Sequence, residues 1–280
     1  MTSDGVIGNS PAAHTGTFAF DTETQLTPQS DSLWVGRLDP NWNIGDKPNG
    51  GYLAAVAMSA LQALTPEQPD PLSATIHYLR PGSAEHRCDV DARVLRPGRT
   101  VSTLRAGLTQ NGKQRLEILA SVGNLDIARP DDGLALTIPP PDLPAPENCI
   151  GRDGANQGVE LPILNRLEIR LNPAHAEAGH GSAAMSGWVR FRDGRAPDTK
   201  ACLLFSDAFP PAIFGLLGLV GWVPTIELTV HVRRRPCPGW VQASFTSHDL
   251  GDGRLIEDGA LWDEQGNLIA QSRQLALLLT

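Results

Sequence analysis

The stretch "LLFSDAFPPAIFGLLG", residues 203–218, carries one carboxylate, Asp207, in an otherwise apolar run. An ionised side chain is costly to desolvate unless it is hydrogen-bonded or paired, so its presence here indicates a function. Pro210 and Pro211 follow, and proline is tolerated only in the first turn of a helix. The pattern therefore predicts Asp207 at or near the N-cap of a buried helix, where a carboxylate can act as general base on water beside amides that stabilise an oxyanion.

An internal repeat organises the chain around this residue. The segment "SLWVGRLD" around Trp34 resembles "SGWVRFRD" around Trp188, 154 residues later. "TIHYLRP" from Thr75 resembles "TVHVRRRP" from Thr229 at the same offset, and the turn sequences "QNGK" and "EQGN" give a third landmark. Three landmarks in the same order predict a duplicated unit.

A proline-rich segment separates the two copies. "DIARPDDGLALTIPPPDLPAPE" begins at Asp126, and its prolines disfavour helix and central strand but favour an extended linker. The sequence thus predicts an N-terminal unit at 1–125, a linker at 126–159 and a C-terminal unit at 160–280, which carries Asp207.

Each copy shows the same order of predicted elements. A strand comes first ("SLWVGRL" and "SGWVRFR", the latter preceded by "NRLEIRL"), then one long helix, then strands to the end of the copy. The first helix follows "KPNGG" and has an apolar stripe from Leu53 to Leu64, and the second lies at the Asp207 run. Asn111-Gly112 predicts a hairpin turn. One buried helix followed by an antiparallel meander, twice over, predicts an α+β fold in which each sheet wraps around a central helix and the two sheets join at their edges.

Composition and charge exclude several classes of partner. The formal charge is −8 and the pI about 5.3, so the basic surface that binds nucleic acid or an anionic membrane is not expected. The longest apolar run contains Pro210 and Pro211 and falls short of the roughly 20 residues that span a bilayer. The amino terminus, "MTSDGVIGNSPAAHTG", lacks the basic and apolar regions of a secretory signal. These features predict a cytoplasmic protein.

Three motifs resemble the acyl-CoA thioesterase II family: "SDAFPPA" in the second helix, "PTIELTVHVRRRP" in the strand after it, and "GNLIAQSRQ" in the last strand. The order of elements also resembles the hot-dog fold in its fused double form, which implies a double hot-dog of two tandem units. Members of the family hydrolyse fatty acyl-CoA thioesters to a free acid and CoA. The resemblance therefore implies an acyl-CoA substrate, a place in fatty-acid metabolism, no cofactor or metal, and further pairing into a homodimer or higher homo-oligomer.

The family holds its attacking water with an Asp, a Thr and a Gln, and the resemblance places these on Asp207, Thr225 and Gln274. The strand that carries the threonine is one residue longer before its proline than the family pattern, so Thr229 is the alternative site hydroxyl or a substrate contact. A carboxylate can take a proton from water, while a hydroxyl and an amide each donate and accept and so can orient it.

The first copy has different residues at the equivalent place. Its helix begins with "NGGY", Asn49, Gly50, Gly51 and Tyr52. The positions that match the three site residues are Leu53, Pro71 and Ala120, and none of these could do their chemistry. Glycines at a helix start let a ligand approach backbone amides closely. We expect these four residues to line the acyl or pantetheine passage between the halves, with a plain tight turn as the alternative.

Two other functions remain open from the sequence. A non-catalytic protein that binds an acyl group or acyl-CoA would keep the pocket without turnover. A hot-dog hydratase or dehydratase acting on enoyl-CoA needs an Asp and a His close together on one helix, and no histidine falls within 203–222.

Overall fold

The structure is a computed structural model that describes residues 17–127, 136–155 and 158–279. The amino-terminal sequence that bears on the signal prediction lies outside the described residues, as does part of the predicted linker, 128–135 and 156–157.

The first half is a helix and a run of long strands, preceded by shorter elements. Its elements are α1 (Ala19–Glu23), β1 (Thr27–Pro28), β2 (Leu33–Arg37), a 3-10 turn (Pro40–Trp42), β3 (Asn43–Ile44), β4 (Lys47–Pro48), α2 (Gly50–Leu64), β5 (Asp70–Tyr78), β6 (Arg87–Arg96), β7 (Ser102–Gln110) and β8 (Lys113–Gly123). The β7–β8 hairpin turns at Asn111-Gly112, as predicted, and both residues have positive φ.

The second half has the same order of long strands but a broken helix. Its elements are two 3-10 turns (Pro146–Asn148 and Pro162–Asn165), β9 (Ile150–Gly151), β10 (Leu167–Leu171), β11 (Ala184–Phe191), α3 (Ala201–Phe205), α4 (Phe214–Leu217), β12 (Thr225–Val232), β13 (Val241–Gly251), β14 (Arg254–Trp262) and β15 (Leu268–Leu277).

Thirteen of the strands in the described part of the chain form one antiparallel sheet, in the order β1-β2-β6-β7-β8-β5-β12-β15-β14-β13-β11-β10-β9. The two halves meet at β5 and β12, and there the register pairs Thr75 directly with Thr229. Their hydroxyl oxygens lie 2.9 Å apart. Because these two residues occupy the same place in the repeat, an approximate two-fold axis passes between them. Joining the sheets here removes two exposed edges, as the sequence predicts.

Helix α2 is the central helix of the first half. The predicted stripe is buried except at Leu64, which is half-buried, and its neighbours Tyr52 and Met58 are buried too, because α2 packs on β5 to β8 on one side and on α3 on the other. Asn49 is its N-cap: the Asn49 Oδ1 atom accepts the backbone N–H of Tyr52 at 3.0 Å. This arrangement is the sheet-wrapped helix of a hot-dog unit.

The prediction of a single long helix at residues 206–218 is wrong. Helix α3 ends at Phe205, and α4 begins only at Phe214. Pro210 and Pro211 lie in the irregular segment between them, since neither can donate a backbone hydrogen bond to continue α3. Asp207 therefore follows a helix and is not the N-cap of one.

The described part of the predicted linker lies along the second half. The indole N–H groups of Trp188 and Trp262 donate to the carbonyl oxygens of Pro144 and Ile138, each at 2.9 Å. Strand β9 then pairs with β10, and the chain continues inward at Arg152. The segment thus contributes to the interior as well as connecting the copies.

Helix α2, with 15 residues, is the longest helix in the described residues. No helix among them is long and apolar enough to cross a bilayer.

Candidate active site

A cavity of about 650 Å³ lies where the two halves meet. The first half contributes the start of α2 and the end of β5, and the second contributes the segment after α3 and the strands β12, β14 and β15. The polar residues of interest on its lining are Asn49, Gly50, Tyr78, Arg152, Asp207, Thr225, Glu257 and Gln274. Most of the remaining lining is apolar, as in a site for a hydrocarbon chain.

Asp207 lies at a helix N-terminus, but it is the N-terminus of α2 in the other half. Its Oδ2 atom accepts the backbone N–H of Gly51 at 2.9 Å and the side-chain Nδ2 of Asn49 at 2.9 Å. Asn49 Nδ2 also donates to the Asp207 carbonyl oxygen at 2.7 Å. Asp207 thus lies at a helix start, as predicted, but the prediction was wrong about which helix supplies the amides.

The environment of Asp207 sets its protonation. Burial raises its pKa to about 6, because the charged form is poorly solvated, and the hydrogen bonds from Gly51 and Asn49 and the charge of Arg152 oppose part of that rise. A carboxyl group with this pKa is mostly ionised at neutral pH and still basic enough to take a proton from water.

Thr225 and Gln274 lie on the same cavity as Asp207. Thr225 begins β12 and pairs with Ala276 on β15. Gln274 lies two residues before Ala276 on β15 and is 8% exposed. Its neighbours on the flanking strands are Leu228 and Glu257. The structure thus brings together a carboxylate, a hydroxyl and an amide from three elements of the second half.

Three other predicted residues lie off the cavity lining. Thr229 is at the seam, the pairing of β5 with β12 that joins the two halves. There its hydroxyl contacts the hydroxyl of Thr75 and the carboxylate of Glu227. Tyr52 is buried on the far side of α2, where its ring stacks on Trp42. Gly51 packs against the backbone of α3, and only its amide reaches Asp207. Asn49 and Gly50 do line the cavity.

The structure adds a buried cation that the sequence analysis missed. Arg152, 8% exposed, donates through Nη1 to the carbonyl oxygen of Ala208. Burial lowers its pKa to about 10, and the charge of Asp207 opposes that fall. Nothing in the sequence pattern distinguished Arg152, because it lies within the segment 126–159 that was interpreted as a linker.

Glu257 is a second carboxyl group on the cavity that the sequence analysis missed. It is 7% exposed, and its Oε2 atom accepts the backbone N–H of Ala212 at 2.7 Å. A signal was present in the sequence: in "RLIEDGALW" it falls on the same alternating positions as Leu255 and Leu261, which face the core. Burial, with a smaller contribution from the charge of Asp207, raises its pKa to about 7, and the hydrogen bond from the Ala212 N–H opposes part of that rise.

The raised pKa of Glu257 predicts a pH-dependent cost to stability. Its folded pKa of about 7 exceeds the unfolded value of about 4.3, so the folded state holds the proton more tightly and the stabilisation present at low pH is lost as pH rises to about 7. We expect the free energy of unfolding of Glu257→Gln, relative to that of the unsubstituted protein, to be about 3 kcal/mol higher at pH 8 than at pH 4.5. Urea unfolding at the two pH values measures this difference. An equal change with pH in both proteins would show that Glu257 titrates normally.

Tyr78, at the end of β5, places a buried hydroxyl on the cavity. Within the described residues this hydroxyl has no hydrogen-bond partner. Leaving a buried polar group unpaired costs about 1–3 kcal/mol, and a buried tyrosine hydroxyl usually finds a partner.

Comparison with known proteins agrees with the fold. The sequence model of the acyl-CoA thioesterase N-terminal domain matches residues 38–123, and that of the acyl-CoA thioesterase C-terminal domain matches residues 140–278. Acyl-CoA thioesterase 2 of Haemophilus influenzae is 25% identical over 254 residues, 82% of this chain and 86% of that protein.

Solved structures resemble the whole chain. A candidate thioesterase II from Thermobifida fusca YX is 31% identical, with a TM-score of 0.83 over 94% of this chain and 98% of that one. A hot-dog protein of unknown function from Alicyclobacillus acidocaldarius is 21% identical, with a TM-score of 0.82 over 95% and 99%, and this likeness concerns the fold alone. The fold is a double hot-dog, and the chain belongs to the acyl-CoA thioesterase family.

Proposed function

We propose that this protein hydrolyses a fatty acyl-CoA to the free acid and CoA, with Asp207 as the general base. One observation carries the proposal: Asp207 lies on a largely apolar cavity, bonded to the start of α2, with Thr225 and Gln274 on the same lining. The reaction belongs to fatty-acid metabolism.

The proposed steps follow from these side chains. Thr225 and Gln274 orient a water molecule by donating to it and accepting from it. Asp207 takes a proton as the water oxygen attacks the thioester carbonyl carbon. The carbon–sulfur bond then breaks, the fatty acid forms, and the CoA thiolate regains a proton from the Asp207 carboxyl group.

The lining supports a substrate with an apolar chain and an anionic end. Phe209, Phe245 and Leu277 are among the side chains that can contact a hydrocarbon chain. Lys47 and Arg80 also lie on the lining and are partly or fully exposed, so they place positive charge where a CoA phosphate could reach.

The two alternatives have weaker support. No histidine lies on the cavity lining among the described residues, so the Asp–His pair of a hydratase or dehydratase is not found there. A protein that only binds acyl-CoA would have no need of a mostly ionised carboxylate on the same cavity lining as a hydroxyl and an amide. Catalysis explains that grouping better.

The first test is release of CoA from acyl-CoAs of several chain lengths, followed with a thiol reagent. We expect the protein to release CoA in multiple turnovers. Binding of the acyl-CoAs without release would favour the binding-only alternative.

A matched pair of threonine variants then locates the reaction. Thr225→Val removes a hydroxyl from the cavity, and we expect kcat/KM to fall about tenfold, the loss of one hydrogen bond. Thr229→Val removes a hydroxyl from the seam, and we expect a lower Tm and a smaller effect on kcat/KM. If Thr229→Val lowered kcat/KM more than Thr225→Val does, Thr229 would be the site hydroxyl.

A further inference from the structure

The Tyr78 ring and the Asp207 carboxylate both lie at the start of α2, on the cavity. A Cβ atom built on Gly50 would lie 2.9 Å from the Tyr78 Cζ atom and 2.9 Å from the Asp207 Oδ2 atom. The phenol ring and the carboxylate therefore converge on the first residue of α2.

The amides that usually stabilise an oxyanion at a helix start are already used in this protein. The Gly51 N–H donates to Asp207 Oδ2, and the Tyr52 N–H donates to Asn49 Oδ1. The Leu53 N–H donates to the Asn49 carbonyl oxygen at 3.1 Å. The Gly50 N–H is also directed to Asp207. A carbonyl oxygen bound here needs a donor other than the first turn of α2.

Tyr78 can supply that donor. Its hydroxyl is buried, lies on the cavity and has no partner within the described residues. Burial raises the pKa of Tyr78 well above its usual value, and the charges of Asp207 and Glu227 raise it further. The phenol therefore keeps its proton throughout the pH range in which Asp207 is ionised, so the two groups can act together.

We infer that Tyr78 is a catalytic residue whose hydroxyl donates a hydrogen bond to the thioester carbonyl oxygen of the acyl-CoA. The inference rests on the proposed hydrolysis. When water attacks the carbonyl carbon, its proton passes to Asp207 and the electron pair of the carbonyl bond moves to the oxygen. Tyr78 stabilises that negative charge. When the carbon–sulfur bond breaks, the charge leaves on the CoA sulfur, which takes up the proton.

The test is Tyr78→Phe, which removes one oxygen and keeps the ring. With wild-type turnover established first, we expect kcat to fall at least tenfold, because a donor to the developing oxyanion acts mainly in the transition state. KM should change less than threefold. The Tm should stay the same or rise, because the variant no longer buries an unpaired hydroxyl.

Tyr52→Phe is the matched control for stability. The Tyr52 hydroxyl is also buried, but it donates to the Glu23 carbonyl oxygen at 2.7 Å and accepts the Asp39 N–H at 3.1 Å. We expect this variant to lower the Tm. Changes in Tm of opposite sign in the two variants would distinguish a hydroxyl that binds a ligand from one that stabilises the fold.

Several outcomes would overturn the role of Tyr78. An undiminished kcat in Tyr78→Phe, a change in KM alone, or a loss of activity that parallels a fall in Tm would each do so, while the proposed hydrolysis would stand. A wild-type protein that releases no CoA would instead refute the hydrolysis, and the role of Tyr78 with it.

Discussion

Asp207→Asn should lower kcat/KM for acyl-CoA hydrolysis by about 10²- to 10⁴-fold, the usual contribution of a general base. The substitution keeps the shape of the side chain and an oxygen that can accept the Gly51 N–H. It removes the basic group that is proposed to take the proton from water. CoA release at pH 7.5 measures the loss.

The pH profile gives this prediction a second readout. A base must be deprotonated to act, and the pKa of Asp207 is about 6, so kcat/KM should rise with pH below about 6 and level off above about 7. The residual activity of Asp207→Asn should lack this rise. Asp258→Asn is a suitable control, because Asp258 is next to Glu257 on β14 but off the cavity lining. Equal losses in the two variants, or undiminished activity in Asp207→Asn, would show that Asp207 is not the base.

Gly51→Ala should destabilise the protein by at least about 2 kcal/mol, within the usual range for overpacking a core, and lower the Tm by several degrees. Alanine normally stabilises a helix relative to glycine by about 1 kcal/mol, so the expected sign is the reverse of the helix propensity. The reason is space. A Cβ atom at Gly51 would lie 2.7 Å from the Leu203 carbonyl oxygen and 2.8 Å from the Leu204 Cα atom. These are backbone atoms of α3, which cannot yield without moving the segment that carries Asp207.

Activity should therefore fall with stability in Gly51→Ala. Thermal unfolding and CoA release on the same preparation measure both effects. Gly151→Ala is the matched control, since a Cβ there would meet nothing within 4 Å and the residue is exposed. A Gly51→Ala variant as stable as this control would mean that α2 and α3 are less closely packed than the structure indicates.

The sequence predicted most of the fold because its signals are local and occur twice. The stripe from Leu53 to Leu64 marks α2, and alternating apolar residues mark the long strands. The offset between Thr75 and Thr229 anticipated a paired architecture, and these residues turned out to be neighbours across the seam. The broken second helix was missed because Pro210 and Pro211 are compatible both with a helix start and with a helix end.

The candidate site was only partly predictable, because it depends on contacts between the halves. Asp207 was identified by its apolar neighbours, and Thr225 and Gln274 by resemblance to a family. The partners of Asp207, Asn49 and Gly51, lie more than 150 residues away in sequence. A pattern within one segment does not show which helix its carboxylate will cap. The unpaired hydroxyl of Tyr78 is likewise a property of packing alone.

The pairing of the two copies across Thr75 and Thr229 bears on how such a protein can evolve. In a dimer of identical subunits each substitution occurs twice, so a change that widens one tunnel also alters its symmetry mate. Fusion removes that constraint, since each copy mutates separately. Here α2 is one continuous helix, whereas its counterpart is interrupted between Phe205 and Phe214 and brings an acid to the amides of α2. The second copy can therefore change while the first copy keeps its framework.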